Sequence, residues 1–224
     1  MVAIAIDGPA GAGKSTIARA LAQELDYIYV DTGALYRAIG LYATAHEAQL
    51  DSPQQVGCLL PDIKLDLRQI EGIQHVFMNG YDVSEEIRQP EISMAASKVS
   101  ALPEVRQFLF ALQQNLAMEN NVVMDGRDIG TVVLPAAQVK IFLTATPEER
   151  ARRRYRELCE KGLQVDYDQL LAEVKQRDHN DATRAIAPLK QAADAVLVDT
   201  TEDTLEQAVQ RIVQIVKEKL QDVL

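Results

Sequence analysis

The sequence predicts a three-layer α/β/α fold on a five-stranded parallel sheet, with a small antiparallel β insertion and a short helical lid. Short apolar runs alternate with longer stretches of helical periodicity, which is the pattern of βαβ units. One internal stretch, residues 63–83, instead alternates apolar and polar residues, as antiparallel strands do. The length of 224 residues suits one domain with an insertion.

The apolar runs predict five buried strands, at residues 2–6, 27–30, 121–124, 139–143 and 195–198. Helical periodicity predicts helices at residues 14–25, 34–48, 103–119, 147–161, 167–177 and 204–220, and a helical region from residue 93 onward. Pro103 and Pro147 suit a first helical turn, where the missing N–H is not needed. The last helix carries an apolar stripe that predicts packing on the core.

In the insertion, Glu71-Gly72 and Asn79-Gly80 are turn pairs between alternating segments such as Ile63-Lys-Leu-Asp-Leu67. They predict a small antiparallel meander between two helical regions. We expect a single domain with a core of residues 1–31, 103–145 and 182–224, an insertion region of residues 32–102, and a lid with flanking helices over residues 146–181.

Composition excludes several classes of protein. With 47% hydrophobic and 25% charged residues, the chain is neither disordered nor collagen-like. A net charge of −10 and the absence of Trp disfavour binding of a nucleic-acid polymer. Two separated cysteines and three histidines form no metal-ligand pattern. Without a long apolar run or a signal-like N-terminus, we expect a cytoplasmic protein with no membrane partner. We also expect a monomer.

The strongest motif is Gly8-Pro-Ala-Gly-Ala-Gly13-Lys14-Ser15-Thr16, which follows a predicted strand and opens a predicted helix. It fits G-x-x-x-x-G-K-S/T, in which backbone N–H groups and a helix N-terminus surround a phosphate. A dinucleotide-binding loop does not fit, because Thr16 stands where a third glycine is required. We therefore predict that residues Gly8, Pro9, Ala10, Gly11, Ala12, Gly13, Lys14, Ser15 and Thr16 bind ATP, with Lys14 on the β and γ phosphates.

A second polar cluster follows the strand at residues 121–124. Asp125 ends that strand, where a carboxylate can hold Mg²⁺ together with the Ser15 hydroxyl. An ordinary strand-end turn is the alternative interpretation. Arg127 and Asp128 follow, at the edge where open α/β sheets bind ligands.

Residues 150–156 contain five arginines, a density that no other segment reaches. Glutamates four residues away allow a solvated, ion-paired helix face. The alternative is a lid that closes guanidinium groups over a transferring phosphoryl group. A guanine-binding switch is disfavoured, because the stretch after residue 143 reads Thr-Ala-Thr-Pro rather than Asn-Lys-x-Asp.

Over nearly its whole length the chain resembles the nucleoside monophosphate kinases, and among them the bacterial-type cytidylate (CMP) kinases. The resemblance is carried by the phosphate loop and by five further segments: Asp31-Thr-Gly-Ala-Leu-Tyr-Arg37, Ala96-Ser97 with Val105-Arg106, Asp125-Gly-Arg-Asp-Ile-Gly-Thr131, Arg177-Asp178 through Asp181 and Arg184, and Ala187-Pro188-Leu189. The insertion is similar to the one that enlarges the acceptor-binding region in bacterial members. Ser15 stands where some members have Gly.

The resemblance implies a P-loop kinase that phosphorylates CMP and dCMP with ATP and Mg²⁺. It implies that Arg37, Arg127 and Arg184 hold the acceptor phosphate. Ser97, Arg106 and Asp128 would read the cytosine edge, and Arg177 and Asp181 would contact the sugar. Thr32 and Asp125 complete the implied substrate set; the implied catalytic set is Lys14, Arg127, Arg150, Arg153 and Arg154, and the metal set is Ser15 and Asp125.

Two other functions remain open from sequence. A P-loop kinase acting on another nucleoside monophosphate, or on a small hydroxylated metabolite such as shikimate, would share the loop; the second would need a base and fewer arginines. A nucleotide-dependent regulatory module would hydrolyse ATP slowly and without an acceptor.

Overall fold

The structure is a computed structural model that describes residues 1–221, apart from the side chain of residue 90. In chain order the elements are β1 (Ala3–Asp7), α1 (Lys14–Leu25), β2 (Ile28–Asp31), α2 (Thr32–Ala45), α3 (Pro53–Leu59), β3 (Leu65–Ile70), β4 (Ile73–Met78), β5 (Tyr81–Asp82), α4 (Pro90–Val99), α5 (Pro103–Glu119), β6 (Val122–Gly126), β7 (Val139–Thr144), α6 (Pro147–Glu160), α7 (Tyr167–Thr183), β8 (Val196–Asp199) and α8 (Leu205–Gln221). A π-helical turn, Ile129–Val133, follows β6.

The main sheet has five strands in the order β2-β6-β1-β7-β8 and helices on both sides, which confirms the predicted fold class. Strand β1 pairs in parallel with β6 and β7, and β7 with β8. All five residues of β1 are buried, as expected for a central parallel strand. Because the strands are parallel, the carboxyl ends of β1 and β6 meet at one edge, with Ile6 opposite Asp125.

Contacts divide the chain into two compact units. The first, called the core unit, comprises residues 1–29 and 120–224; the second, called the insertion unit, comprises residues 30–119. The hydrophobic core of the core unit joins the sheet to α1 and α8 and includes Ile4, Ile6, Ile17, Leu21, Ile141, Ile212 and Val216. The apolar stripe predicted on the last helix therefore packs on the core.

The insertion unit contains the predicted meander as a three-stranded antiparallel sheet, β3-β4-β5. Its turns lie at the predicted pairs, where Asn79 and Gly80 have φ of 53° and 87°. Two positive φ values in sequence suit a tight hairpin turn. Elsewhere in this unit, α2 packs closely on α4: a Cβ on Gly40 would lie 3.0 Å from the backbone nitrogen of Ala96.

Helix α5 has the predicted bounds, residues 103–119, whereas other helices differ from the prediction. The helical region predicted from residue 93 onward contains two helices, α4 and α5, and α4 ends at Val99 because Pro103 disfavours a helical residue before it. Helix α3 was not predicted, although Ser52 caps it and Pro53 begins it. Helix α7 continues past residue 177 to Thr183 and so carries Asp178 and Asp181.

Among the described residues, no helix is long and apolar enough to cross a membrane.

Candidate active site

The loop between β1 and α1 has the backbone that phosphate binding requires. Gly13 begins α1 in a left-handed conformation with φ of 90°, which glycine adopts without strain. Gly8 has φ of 150°, and a Cβ there would lie 1.9 Å from the carbonyl oxygen of Leu143. Only glycine fits at that position, so the loop passes directly over the end of β7.

Lys14 lies inside this loop. Its side chain is buried, and Nζ donates a hydrogen bond to the carbonyl oxygen of Pro9 at 2.8 Å. The pKa of Lys14 is lowered to about 7, chiefly by burial and also by the charges of Arg127 and Arg177, while Asp125 and Asp181 oppose the shift. An anion in the loop would favour the charged form of this lysine.

Ser15 and Asp125 lie together, although 110 positions separate them in the chain. The Ser15 hydroxyl donates to Oδ2 of Asp125 at 2.9 Å, and the Tyr29 hydroxyl donates to Oδ1 at 3.1 Å. A hydroxyl and a carboxylate beside a phosphate loop fit Mg²⁺, which takes one or two protein oxygens and leaves its other positions to water and phosphate. Among residues 1–221 no cluster of three metal-ligating side chains occurs.

Two arginine–aspartate pairs join the end of β6 to the end of α7. Arg127 Nε donates to Oδ2 of Asp181 at 2.9 Å, and Arg184 NH2 lies 3.4 Å from Oδ1 of Asp128. The Arg184 and Asp128 side chains are only 8% and 6% exposed. Arg127 is half-buried, and in both pairs the charge-assisted hydrogen bond orients the guanidinium group. Arg177, one turn before Asp181 on α7, is close enough for its charge to act on Lys14.

The arginines of helix α6 differ in how far they are buried. Arg150 is 3% exposed, and its guanidinium donates to the carbonyl oxygens of Ala145 and Ala10 and to both oxygens of Asp178. Arg153 reaches the carbonyl oxygen of Thr200 at 2.6 Å. Arg152 and Arg154 form ion pairs with glutamates of the same helix, as the solvated-face interpretation expects.

The other predicted substrate residues lie in the insertion unit. Thr32 is buried at the start of α2, and Arg37 NH1 lies 3.9 Å from Oδ2 of Asp31. Ser97 is half-buried on α4, and Arg106 is buried on α5 with its guanidinium 5.7 Å from the Tyr36 ring centroid. Ser100 links these last two residues: its hydroxyl donates to the carbonyl oxygen of Ser97, and its own carbonyl oxygen accepts from Arg106.

Sequence reasoning missed three side chains that organise the core unit. Tyr29 orients Asp125, Asp178 anchors Arg150, and Asp7 accepts two backbone hydrogen bonds from the turn after β6. Asp7 alone had a visible signal, because a charged residue ends an otherwise apolar strand directly before the loop.

The chain matches the protein-family model described as cytidylate kinase over residues 4–218. It is 53% identical over 212 residues to a cytidylate kinase of Caldicellulosiruptor saccharolyticus, covering 95% of this chain and 94% of that one. A cytidylate kinase of Enterococcus faecalis is 48% identical over 218 residues, with coverage of 97% and 96%. The crystal structure of an uncharacterized protein from Eubacterium ventriosum has the same fold, with a TM-score of 0.51, 12% identity and coverage of 97% and 99%.

A family match over almost the whole chain, together with relatives half identical to it at nearly full length, shows that this protein belongs to the cytidylate kinase family.

Proposed function

We propose that the protein, as a monomer, transfers the γ-phosphoryl group of ATP to CMP or dCMP and releases ADP with CDP or dCDP. The observation that carries this proposal is the near-full-length identity of about half to proteins named cytidylate kinase. The phosphate loop, the Ser15–Asp125 contact and the paired arginines supply the chemistry that such a reaction needs.

The donor would bind at residues 8–16. Backbone N–H groups and the N-terminus of α1 would face the phosphates, and Lys14 would exchange the Pro9 carbonyl for a phosphate oxygen. Ser15 and Asp125 would hold Mg²⁺, which when bound neutralises charge on the β and γ phosphates. Arg150, Arg153 and Arg154 would add positive charge near the transferring group, and the hydrogen bond from buried Arg150 to the carbonyl oxygen of Ala10 in the loop supports this for the first of them.

The resemblance to the family implies which residues would hold the phosphate, the base and the sugar of the acceptor. Arg37, Arg127 and Arg184 would bind its phosphate, because guanidinium groups form paired hydrogen bonds to phosphate oxygens. Asp128 would accept from the exocyclic amine of cytosine, with Ser97 and Arg106 donating to its acceptor atoms. Arg177 and Asp181 would contact the sugar, and Thr32 and Asp125 would complete the contacts.

Transfer would occur directly and in line, without a covalent intermediate. No general base is needed, because a phosphate monoester with a second pKa of about 6 is already largely a dianion at neutral pH. Catalysis then depends on positioning the attacking oxygen and on neutralising charge at the transferring phosphoryl group.

A panel of acceptors tests the proposal. ADP release is measured with CMP, dCMP, UMP, AMP, shikimate and gluconate at equal ATP and Mg²⁺. We expect the highest kcat/KM with CMP and dCMP, because their amine matches the Asp128 carboxylate. Equal values for all nucleotides would refute the specificity. Turnover with shikimate alone would favour a metabolite kinase, and ADP release that no acceptor stimulates would favour a regulatory module.

A further inference from the structure

Asp7 is a buried carboxylate to which the proposed function gives no role. It is the last residue of β1, directly before the phosphate loop, and it is 4% exposed. Its two oxygens have separate partners: Oδ1 accepts from the backbone N–H of Ile129 at 2.8 Å, and Oδ2 accepts from that of Gly130 at 2.7 Å. Both amides belong to the turn that follows Arg127 and Asp128.

The turn at Ile129–Val133 is capped by Asp7 rather than by its own N-cap residue. Asp128 occupies the N-cap position, where an aspartate ordinarily accepts from the first backbone N–H groups. Its side chain makes no such bond here and instead faces Arg184. Asp7 therefore satisfies the Gly130 amide, which an N-cap side chain at Asp128 could otherwise satisfy, and the neighbouring amide of Ile129 as well.

The packing around Gly130 gives the Asp7 carboxylate little room to move. A Cβ on Gly130 would lie 3.1 Å from Cδ of Lys140 and 3.3 Å from Oδ2 of Asp7. Lys140 is itself fixed, because Nζ donates to the carbonyl oxygen of Pro135 at 2.6 Å and to Asp194 at 2.8 Å. The turn is thus held between a carboxylate on one side and an anchored lysine stem on the other.

Charge at this position opposes folding. The pKa of Asp7 is raised to about 6, chiefly by burial and also by the Asp128 charge, while its two backbone hydrogen bonds and Lys14 oppose the shift. At neutral pH the group is mainly ionised in a place that favours its neutral form. The ionised Asp7 carboxylate therefore costs stability, while its two hydrogen bonds fix the geometry of the turn.

We propose that Asp7 is a positioning residue for the acceptor: by capping Ile129 and Gly130 it leaves the Asp128 carboxylate to pair with Arg184 and to face the pyrimidine amine. The proposal rests on the proposed function of the site. Without Asp7, the Asp128 side chain would turn to cap the amides itself, and the base would lose its acceptor group.

The test is Asp7→Asn, which is nearly isosteric but offers one acceptor oxygen to two N–H groups. We expect the KM for CMP to rise about tenfold, which is the size of one lost hydrogen bond, while the KM for ATP changes less than about threefold. The ratio of kcat/KM for CMP over UMP should also fall. Ile212→Val, which removes a methyl group from the core away from the site, is the control for a general loss of stability.

A second variant disturbs the same contact at Gly130. Gly130→Ala places a methyl group against Asp7 and Lys140, so it should also raise the KM for CMP more than the KM for ATP. The double variant should be less impaired than the product of the two single effects predicts, because both disturb one contact. Equal losses for CMP and ATP, or an unchanged CMP-over-UMP ratio in both variants, would overturn the proposal.

Hydrogen exchange separates this proposal from the function itself. The amides of Ile129 and Gly130 should exchange slowly in the wild-type protein and faster in Asp7→Asn, with α8 unchanged. Unchanged exchange at the two amides would refute the positioning role. If the wild-type protein failed to phosphorylate CMP, the proposed function would fail, and the exchange result would still decide whether Asp7 holds the turn.

Discussion

Two arginines of the core unit are each paired with a carboxylate that is distant in sequence. Arg127 pairs with Asp181 across 54 positions, and Arg184 pairs with Asp128 across 56. Such a pair orients the guanidinium group, so an anion that bound there would cost less conformational entropy. The cost of the pair is the partial desolvation of both charges.

Replacing Arg127 tests its role in binding the acceptor phosphate. We expect Arg127→Ala to raise the KM for CMP at least about tenfold and to lower kcat about a hundredfold, because a charge-assisted contact to the reacting phosphate is lost. The dissociation constant for ATP, measured by titration calorimetry, should change little.

Arg152→Ala is the matched control for that substitution. Arg152 is half-exposed, and its described partner is Glu149 of the same helix, so its loss should leave both substrates unaffected. Unchanged turnover and an unchanged KM for CMP in Arg127→Ala would remove that residue from the acceptor site.

The geometry of the phosphate loop was more predictable from sequence than the side chains that support the candidate site. The phosphate loop could be predicted because its spacing is local and its glycines have no alternative at Gly8 and Gly13. The Ser15–Asp125 contact followed from parallel strands ending at one edge. Tyr29 and Asp178 could not be assigned a role, because each acts through tertiary contacts that no local pattern encodes; Asp7 was marked by its place at the end of an apolar strand, but its contacts to Ile129 and Gly130 were not.

At the scale of elements, helices α6 and α7 are joined by two ion pairs of very different environment. Arg150 and Asp178 form a paired contact in which the arginine is 3% exposed. Lys175 and Glu148 form a second pair at 2.9 Å, with side chains 55% and 49% exposed. We expect the buried Arg150–Asp178 pair to contribute more to the stability of the two helices than the exposed Lys175–Glu148 pair.

We expect Asp178→Ala to lower the free energy of unfolding by about 2–3 kcal/mol, because it leaves the buried Arg150 charge with backbone partners only; the quarter exposure of Asp178 keeps the loss below that of a fully buried pair. The control Lys175→Ala should cost at most about 1 kcal/mol. Urea denaturation of both variants gives the comparison. Equal losses in the two would contradict the account of the helix pair.

The antiparallel meander contains its own titratable contact. Oδ1 of Asp82 accepts from the Ser84 hydroxyl at 2.5 Å and from the Ser84 backbone N–H at 3.0 Å. Oδ2 of Asp82 lies 2.7 Å from Nδ1 of His75. These hydrogen bonds, led by the Ser84 hydroxyl, lower the pKa of Asp82 to about 2. A carboxyl group whose pKa is lowered on folding stabilises the fold above its unfolded pKa.

Asp82→Asn should therefore reduce Tm most at neutral pH. The difference from wild type should shrink as the pH falls from about 4 towards 2, because the wild-type carboxylate then becomes protonated and loses the same hydrogen bonds. Thermal unfolding followed by circular dichroism over this range makes the measurement. Asp66→Asn, in the exposed pair with Arg68, is the control. A constant difference at every pH would contradict the assignment.

For the molecule as a whole, the fold class was predictable from alternating periodicities, and the structure confirms the five-stranded sheet and the meander. The positions of helix ends were less predictable. Helix α7 runs to Thr183 because no glycine or proline interrupts residues 167–183 and because its last turns carry the carboxylates that pair with Arg150 and Arg127. Because those last turns depend on tertiary partners, periodicity alone predicted an end at residue 177.

The net charge of −10 does not conflict with a site for two anionic nucleotides. Positive charge is concentrated in the loop lysine and in arginines that are buried or half-buried near it in the core unit. An acidic remainder disfavours polyanions, while a compact basic site binds small phosphate-bearing ligands.

The central claim is that this protein transfers the γ-phosphoryl group of ATP to CMP. The most direct measurement is a ³¹P NMR time course of ATP, CMP and Mg²⁺ with catalytic amounts of the protein. We predict that the resonances of CDP and ADP grow in equal amounts while inorganic phosphate stays at its background level. Formation of ADP with inorganic phosphate, at a rate that CMP does not change, would contradict the account.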